Sequence, residues 1–126
     1  MLTLSRLRLE PSPSHPITIR ASDGQVTVRA GSGILARSER ALILHEHAYA
    51  PVAYFHRQDC AMERLEASEH HSWCPYKGEA RYFHVRLEDG SLLENAAWTY
   101  ETPFGSVEEI AGRLAFYPGK VEIVEA

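Results

Sequence analysis

The stretch His70-His71-Ser72-Trp73-Cys74-Pro75-Tyr76-Lys77-Gly78-Glu79-Ala80-Arg81-Tyr82-Phe83-His84 gathers imidazole, thiol, amine and aromatic groups around one proline and one glycine. Loops this rich in reactive and recognition side chains are where binding sites concentrate. Three chemistries are open to it. Cys74 could act as a nucleophile if Lys77 or His84 folded close enough to stabilise its thiolate. The competing reading is a small, half-buried thiol that fixes the Cys-Pro turn. His70, His71, Cys74 and His84 are all competent metal ligands. The paired Cys-x-x-Cys spacing of a structural zinc is missing, however, and adjacent His70 and His71 point to opposite faces of an extended chain. No metal site and no cofactor are expected.

The third chemistry is non-covalent recognition. Tyr76, Tyr82, Trp98 and Tyr100 offer flat apolar walls, and Lys77, His84, Arg37, Ser38 and Glu46 offer polar handles. Apolar walls with a few convergent polar groups are what ligand pockets share. The plainer alternative makes these aromatics core residues, with Lys77 snorkelling past them. Cys74, Lys77, His84 and Glu46 are the catalytic candidates, without a reaction assigned to them. Tyr76, Lys77, Tyr82, Trp98, Tyr100, Arg37 and Ser38 are the expected ligand-binding set.

The elements that must position these groups are short strands. Residues 1–16 read as an irregular arm broken by Pro11, Pro13 and Pro16, ahead of one β-rich domain over residues 17–126. Ile17–Arg20 and Val26–Arg29 flank Asp23-Gly24 as a β-hairpin would. Ile34–Ser38 and Ala41–Glu46 flank Glu39-Arg40 as a second hairpin, with His45 and Glu46 at its end. Val52–Phe55 is a fifth strand. Gln58–Ala67 carries helix formers with apolar residues at helical spacing and predicts a short helix.

Beyond the opening stretch, Ala80 to Leu87 alternates. Phe83, Val85 and Leu87 should face the core, and Ala80, Tyr82, His84 and Arg86 the other side. The Asp89-Gly90 turn makes Leu92–Glu101 its antiparallel partner, with Ala96, Trp98 and Tyr100 on one face. Ser106-Val107-Glu108-Glu109 has a capping-box pattern opening a second short helix that Gly112 ends. Leu114–Tyr117 and Lys120–Val124 flank Pro118-Gly119 as a final hairpin. The expected fold is therefore mainly β: one small domain of antiparallel sheets, two-layer or barrel-like, with two short helices.

Composition bounds the partners. With 126 residues, 44% of them hydrophobic and 24% charged, the chain can bury a core without staples. A net charge of −4 argues against bulk nucleic-acid binding. No apolar run approaches the ~20 residues of a membrane span. Met1–Glu10 lacks the apolar region of a signal peptide. Two cysteines, Cys60 and Cys74, are too few for a secreted disulfide framework, so a cytoplasmic protein with reduced thiols is expected. Exposed strand edges leave a homodimer open.

A family resemblance runs through the same residues. Cys74-Pro75-Tyr76-Lys77-Gly78-x-Ala80-x-Tyr82 is followed by Asn95-x-Ala97-Trp98-x-Tyr100-x-x-Pro103 and by Ile110-x-Gly112-x-x-Ala115-Phe116-Tyr117. With Ala36-x-Ser38 and Leu44-x-Glu46 upstream, this series resembles the family known as domain of unknown function 427, over roughly residues 15–124. The resemblance implies a small β-rich fold, and members are sometimes labelled nucleotidyltransferase-like. Two positions depart from the family's pattern: Arg37 stands where an acidic residue is common, and Phe55-His56 where Phe-Pro is usual.

The residues give that label little support. Nucleotidyl transfer needs paired carboxylates for Mg²⁺ and a cradle for phosphates. The chain has no Asp-x-Asp pair on a strand and no Gly-x-x-x-x-Gly-Lys-Ser/Thr loop. Glu88 and Asp89 are adjacent at a turn and point apart. The expected function is binding of a small ligand, an anion being one option, between the Cys74–Tyr82 stretch and the Trp98–Tyr100 strand. An enzyme or a homodimeric interaction module are the alternatives.

Overall fold

Alternation organises the chain. On β7 (Gly78–Arg86), Phe83 and Val85 join one apolar cluster while Ala80 and Tyr82 join another, and Arg81 and Arg86 stay exposed. A strand sends successive side chains to opposite faces, so one sheet can feed two cores. β8 (Leu92–Thr99) pairs with β7 across the Asp89-Gly90 turn, in a register that sets Tyr82 opposite Trp98. β6 (Leu65–Cys74) takes the other edge of β7, and β9 (Leu114–Phe116) lies beside β8. These four strands form one antiparallel sheet of a computed structural model that describes residues 6–126.

Two three-stranded antiparallel sheets complete the fold. One has the order β1 (Ile17–Ala21), β4 (Leu42–Glu46), β5 (Val52–Tyr54). The other has β10 (Glu122–Glu125), β2 (Val26–Ala30), β3 (Gly33–Ser38). The first core joins Val26, Val28, Leu35 and Ala36 to Val85, Ala97, Leu114 and Phe116. The second joins Leu44 and Tyr54 to Ala80, Tyr100, Val107, Ile110 and Ala115. A Phe55–Leu114 bridge ties β5 to β9 at the seam. The protein is thus mainly β, and the described sheets do not close into a barrel.

Several local expectations change. The Asp23-Gly24 turn does not close a hairpin: β1 pairs with β4, and β2 with β3 and β10. Gly24 is instead a corner where the C-terminus passes; a Cβ there would lie 2.1 Å from the Ala126 carbonyl oxygen. Glu39-Arg40 and Pro118-Gly119 are likewise corners between sheets, so β3 does not pair with β4, nor β9 with β10. Neither expected helix is an α-helix. Residues 58–67 split into two 3-10 turns, Arg57–Asp59 and Met62–Arg64, and then enter β6, where pairing of Leu65 with Val85 and Ala67 with Phe83 overrides helix propensity. The second is the 3-10 segment Gly105–Ile110, entered from Phe104 without a side-chain cap, so the Ser106 capping box is not formed. Ala96 also parts from Trp98 and Tyr100: it joins the first core, next to a bulge marked by Asn95 at φ 49°.

The expected N-terminal arm is only partly within view, since residues 1–5 lie outside the described residues. Residues 6–16 follow an irregular path along the β6–β7 hairpin. The Leu9 N–H donates to the Pro75 carbonyl (2.8 Å) and the Trp73 indole N–H to the Leu7 carbonyl (2.8 Å). Arg6 and Arg8 lie over the Trp73 and Phe104 rings, at 4.6 and 4.2 Å from the centroids.

Candidate functional site

The Cys74–Gly78 segment is the turn of the β6–β7 hairpin, with Cys74 opposite Gly78. Gly78 adopts φ 105°, a region open to glycine and costly for any side chain, which lets the strand restart immediately after Lys77. The Lys77 backbone is held on both sides: its N–H donates to the Cys74 carbonyl and its carbonyl accepts from Phe104. The side chain turns inward and is only 8% exposed.

Lys77 Nζ donates to Glu46 Oε1 at the end of β4. The other carboxylate oxygen, Oε2, accepts from His15 Nε2 at 2.8 Å. The His15 ring stacks on Tyr76 (centroids 4.0 Å apart, planes within 4°) and on His47 (5.0 Å). His47 sits at φ 49°, a left-handed conformation uncommon outside glycine, and its N–H is fixed to the Pro16 carbonyl. Glu46 is therefore gripped from both sides. Burial raises its pKa, but the hydrogen bonds and charges of Lys77 and His15 outweigh that, so the carboxyl titrates below its ordinary value.

The pair opens onto a cavity of about 190 Å³ walled by Tyr49, Tyr54, Tyr82, Trp98, Tyr100 and Tyr117, with Leu44, Ala50 and Val52. Trp98 donates through its indole N–H to Tyr54 Oη at 3.4 Å and packs on Tyr117 at 4.4 Å. Tyr82 shares a 2.8 Å hydrogen bond with Ser72. Lys77 Nζ lies 6.0 Å from the Tyr100 ring centroid. Burial pushes the Tyr54 and Tyr100 phenols far above their usual range, and the Tyr117 phenol to about 12 with help from Tyr82. All three remain protonated hydroxyls at neutral pH.

The fold thus brings Glu46, Lys77, Tyr82, Trp98 and Tyr100 to one cavity. Tyr76 stands outside it, against His15. Cys74 packs half-buried against the second core. His84 is away from the cavity, its Nδ1 accepting from the Asn95 N–H at 3.0 Å. Arg37 and Ser38 belong to a different corner: Arg37 is exposed, and Ser38 donates to Asp59 Oδ2 at 2.7 Å while accepting from the Arg40 N–H. Among the described residues, no three of His, Cys, Asp or Glu gather as metal ligands would. Nothing in the sequence marks His15 or the tyrosines at 49, 54 and 117 as site residues. His15 is an isolated histidine in a proline-broken arm, and only the folded arm carries it to Glu46.

The family model described as domain of unknown function 427 matches residues 18–126. The chain belongs to that family. Within this domain of unknown function 427, the cavity walls and the Glu46–Lys77 pair all fall inside the matched span, whereas His15 precedes it. No curated protein matches the chain. Among the described residues no helix is long and apolar enough to cross a membrane.

The geometry bears on chemistry. Among the described residues, Glu46 is the one carboxylate lining the cavity, and it is already engaged by two donors. A carboxylate so held is a weak base, and the second carboxylate that Mg²⁺-dependent phosphoryl chemistry uses has no counterpart in the lining. The Lys77 ammonium retains N–H groups beyond the one given to Glu46, and these are available to an acceptor in the cavity.

Proposed function

We propose that the protein binds a small, uncharged molecule bearing a carbonyl, amide or hydroxyl acceptor, received in the cavity by Lys77 between the faces of Trp98 and Tyr100. The observation carrying this reading is the Lys77–Glu46 pair set at the floor of an aromatic-walled cavity. An unpaired lysine would favour an anion. Lys77 already has its counter-ion, so an anionic ligand would have to compete with Glu46, whereas a neutral acceptor takes only the spare N–H groups. Six aromatic walls give large contact area at little conformational cost. A mixed apolar and polar lining of this kind is the usual mark of a ligand pocket.

The test is a thermal-shift and calorimetric screen of small neutral compounds carrying those acceptors. A ligand of this site should lose at least about tenfold in affinity in Lys77→Met and in Trp98→Ala, with near-UV circular dichroism confirming the fold. Equal affinity in both folded variants would remove the assignment.

A further inference from the structure

We infer that the Lys77 cavity is one chamber of a two-chamber site whose ligand is an amphiphile, with a neutral hydrogen-bonding head and an aliphatic tail. This rests on the reading that the Lys77 cavity binds a small molecule, and adds the class of that molecule. A second cavity of about 290 Å³ lies on the opposite face of β4 and β5, lined by Ile43 and Ala53 where the first is lined by Leu44 and Tyr54, and Val52 and Trp98 border both. Its wall includes Val26, Ile43, Ala53, Phe116 and Ile123. Val26, Ile43 and Phe116 are themselves buried, so the floor is apolar. The charged residues of its lining, Arg20 and Glu125, are exposed and of opposite sign.

The two chambers complement each other. The Lys77 chamber holds a buried ion pair and hydroxyls but little volume; the other has volume and an apolar floor but no buried polar group. Each alone falls short of the ~300–1,000 Å³ typical of ligand pockets, and together they fall within it. A tail passing over Val52 and Trp98 would exchange water for apolar surface in the second chamber while the head stays on Lys77. The lining there is mainly branched and small aliphatic, which favours an alkyl chain over a second flat ring. Opposite charges at its edge give a charged tail end no net attraction.

The test uses Trp73→Phe, which leaves Trp98 as the sole indole, since the chain has two tryptophans. Trp98 fluorescence is followed while 1-alkanols of three to ten carbons are titrated. Affinity should rise roughly three- to fourfold per added methylene, then level off once the chamber is filled. Ala53→Phe and Ile123→Phe, which fill that chamber from two different strands, should each flatten the series while the shortest alkanols still bind. Three results would overturn the inference: short alkanols binding in a Lys77-dependent way with no gain from chain length, a length dependence that survives in both filled variants, or no alkanol binding although the neutral compounds of the screen bind through Lys77. In all three the reading of the Lys77 cavity itself can still stand. Failure of the screen and of the alkanols together would remove that reading as well.

Discussion

His15 Nε2 lies 2.8 Å from Glu46 Oε2, so a residue of the N-terminal arm holds the same carboxylate that Lys77 holds through Oε1. Arm, strand end and hairpin turn thus meet at one side chain. The arm's own anchors, Leu9 on Pro75 and Trp73 on Leu7, keep it against the hairpin that carries Lys77. Geometry at the cavity floor therefore depends on chain outside the span the family model covers.

His15→Ala removes one hydrogen bond to a charged group and the stack on Tyr76. Bonds of this kind contribute about 1.5–3 kcal/mol, and Glu46 keeps Lys77, so a loss of about 1–2 kcal/mol is expected. Urea unfolding with an unchanged m-value reads it directly. A midpoint identical to that of the unmodified protein would show that the arm contact adds nothing to stability.

Lys77→Met leaves Glu46 buried with His15 as its remaining partner. Breaking a buried pair from one side typically costs 3–5 kcal/mol, and the residual exposure of this one places the expected loss at about 3 kcal/mol. Adding Glu46→Gln should recover part of it, because the stranded charge is gone. A double-mutant cycle measures the coupling, expected at about 1–3 kcal/mol. Simple additivity would mean that the two groups do not depend on each other.

Acid should unfold the protein partly through Glu46. Its folded pKa is lowered, the attraction of Lys77 and His15 having overcome burial. Such a group contributes stability that is fully present above the unfolded value of about 4.3 and is lost as pH falls through the folded value. Asp59, lowered chiefly by its hydrogen bond from Arg40, and Asp89, lowered by Ser91, act in the same direction. Urea midpoints measured from pH 6 down to pH 2.5 should fall less steeply for Glu46→Gln than for the unmodified protein. Parallel slopes would place the acid sensitivity elsewhere.

Cys60 should be inert in the folded protein. Burial, reinforced by the Asp59 charge, pushes its thiol up to about 12. The thiolate is the reacting species, so at pH 8 iodoacetamide should label native Cys60 roughly a thousandfold more slowly than an unhindered thiol. Peptide mass spectrometry after timed quenching follows this one site. Labelling at the same rate before and after unfolding would contradict it.

What the sequence determined by itself was local. The β7 alternation, the Asp89-Gly90 hairpin and the turn at Cys74-Pro75 depend on residues close in the chain, where side-chain period and turn chemistry act directly. The same logic expects Tyr82 and His84 near Trp98 and Tyr100; Tyr82 does pair with Trp98, beyond a bulge in the ladder, whereas His84 accepts from the Asn95 N–H instead. Tertiary structure decided which strands pair. Asp23-Gly24, Glu39-Arg40 and Pro118-Gly119 have hairpin chemistry, but each turns a corner, because burying both faces of the four-stranded sheet requires strands from two other sheets. Residues 65–67 became strand through partners near residue 85, against their helical propensity. Arg37 and Ser38 left the expected site because β3 belongs to another sheet. His15 entered it because the folded arm carries it to Glu46. Neighbours in sequence set the conformation and facing of each strand; burial and pairing between distant segments chose which side chains share the cavity.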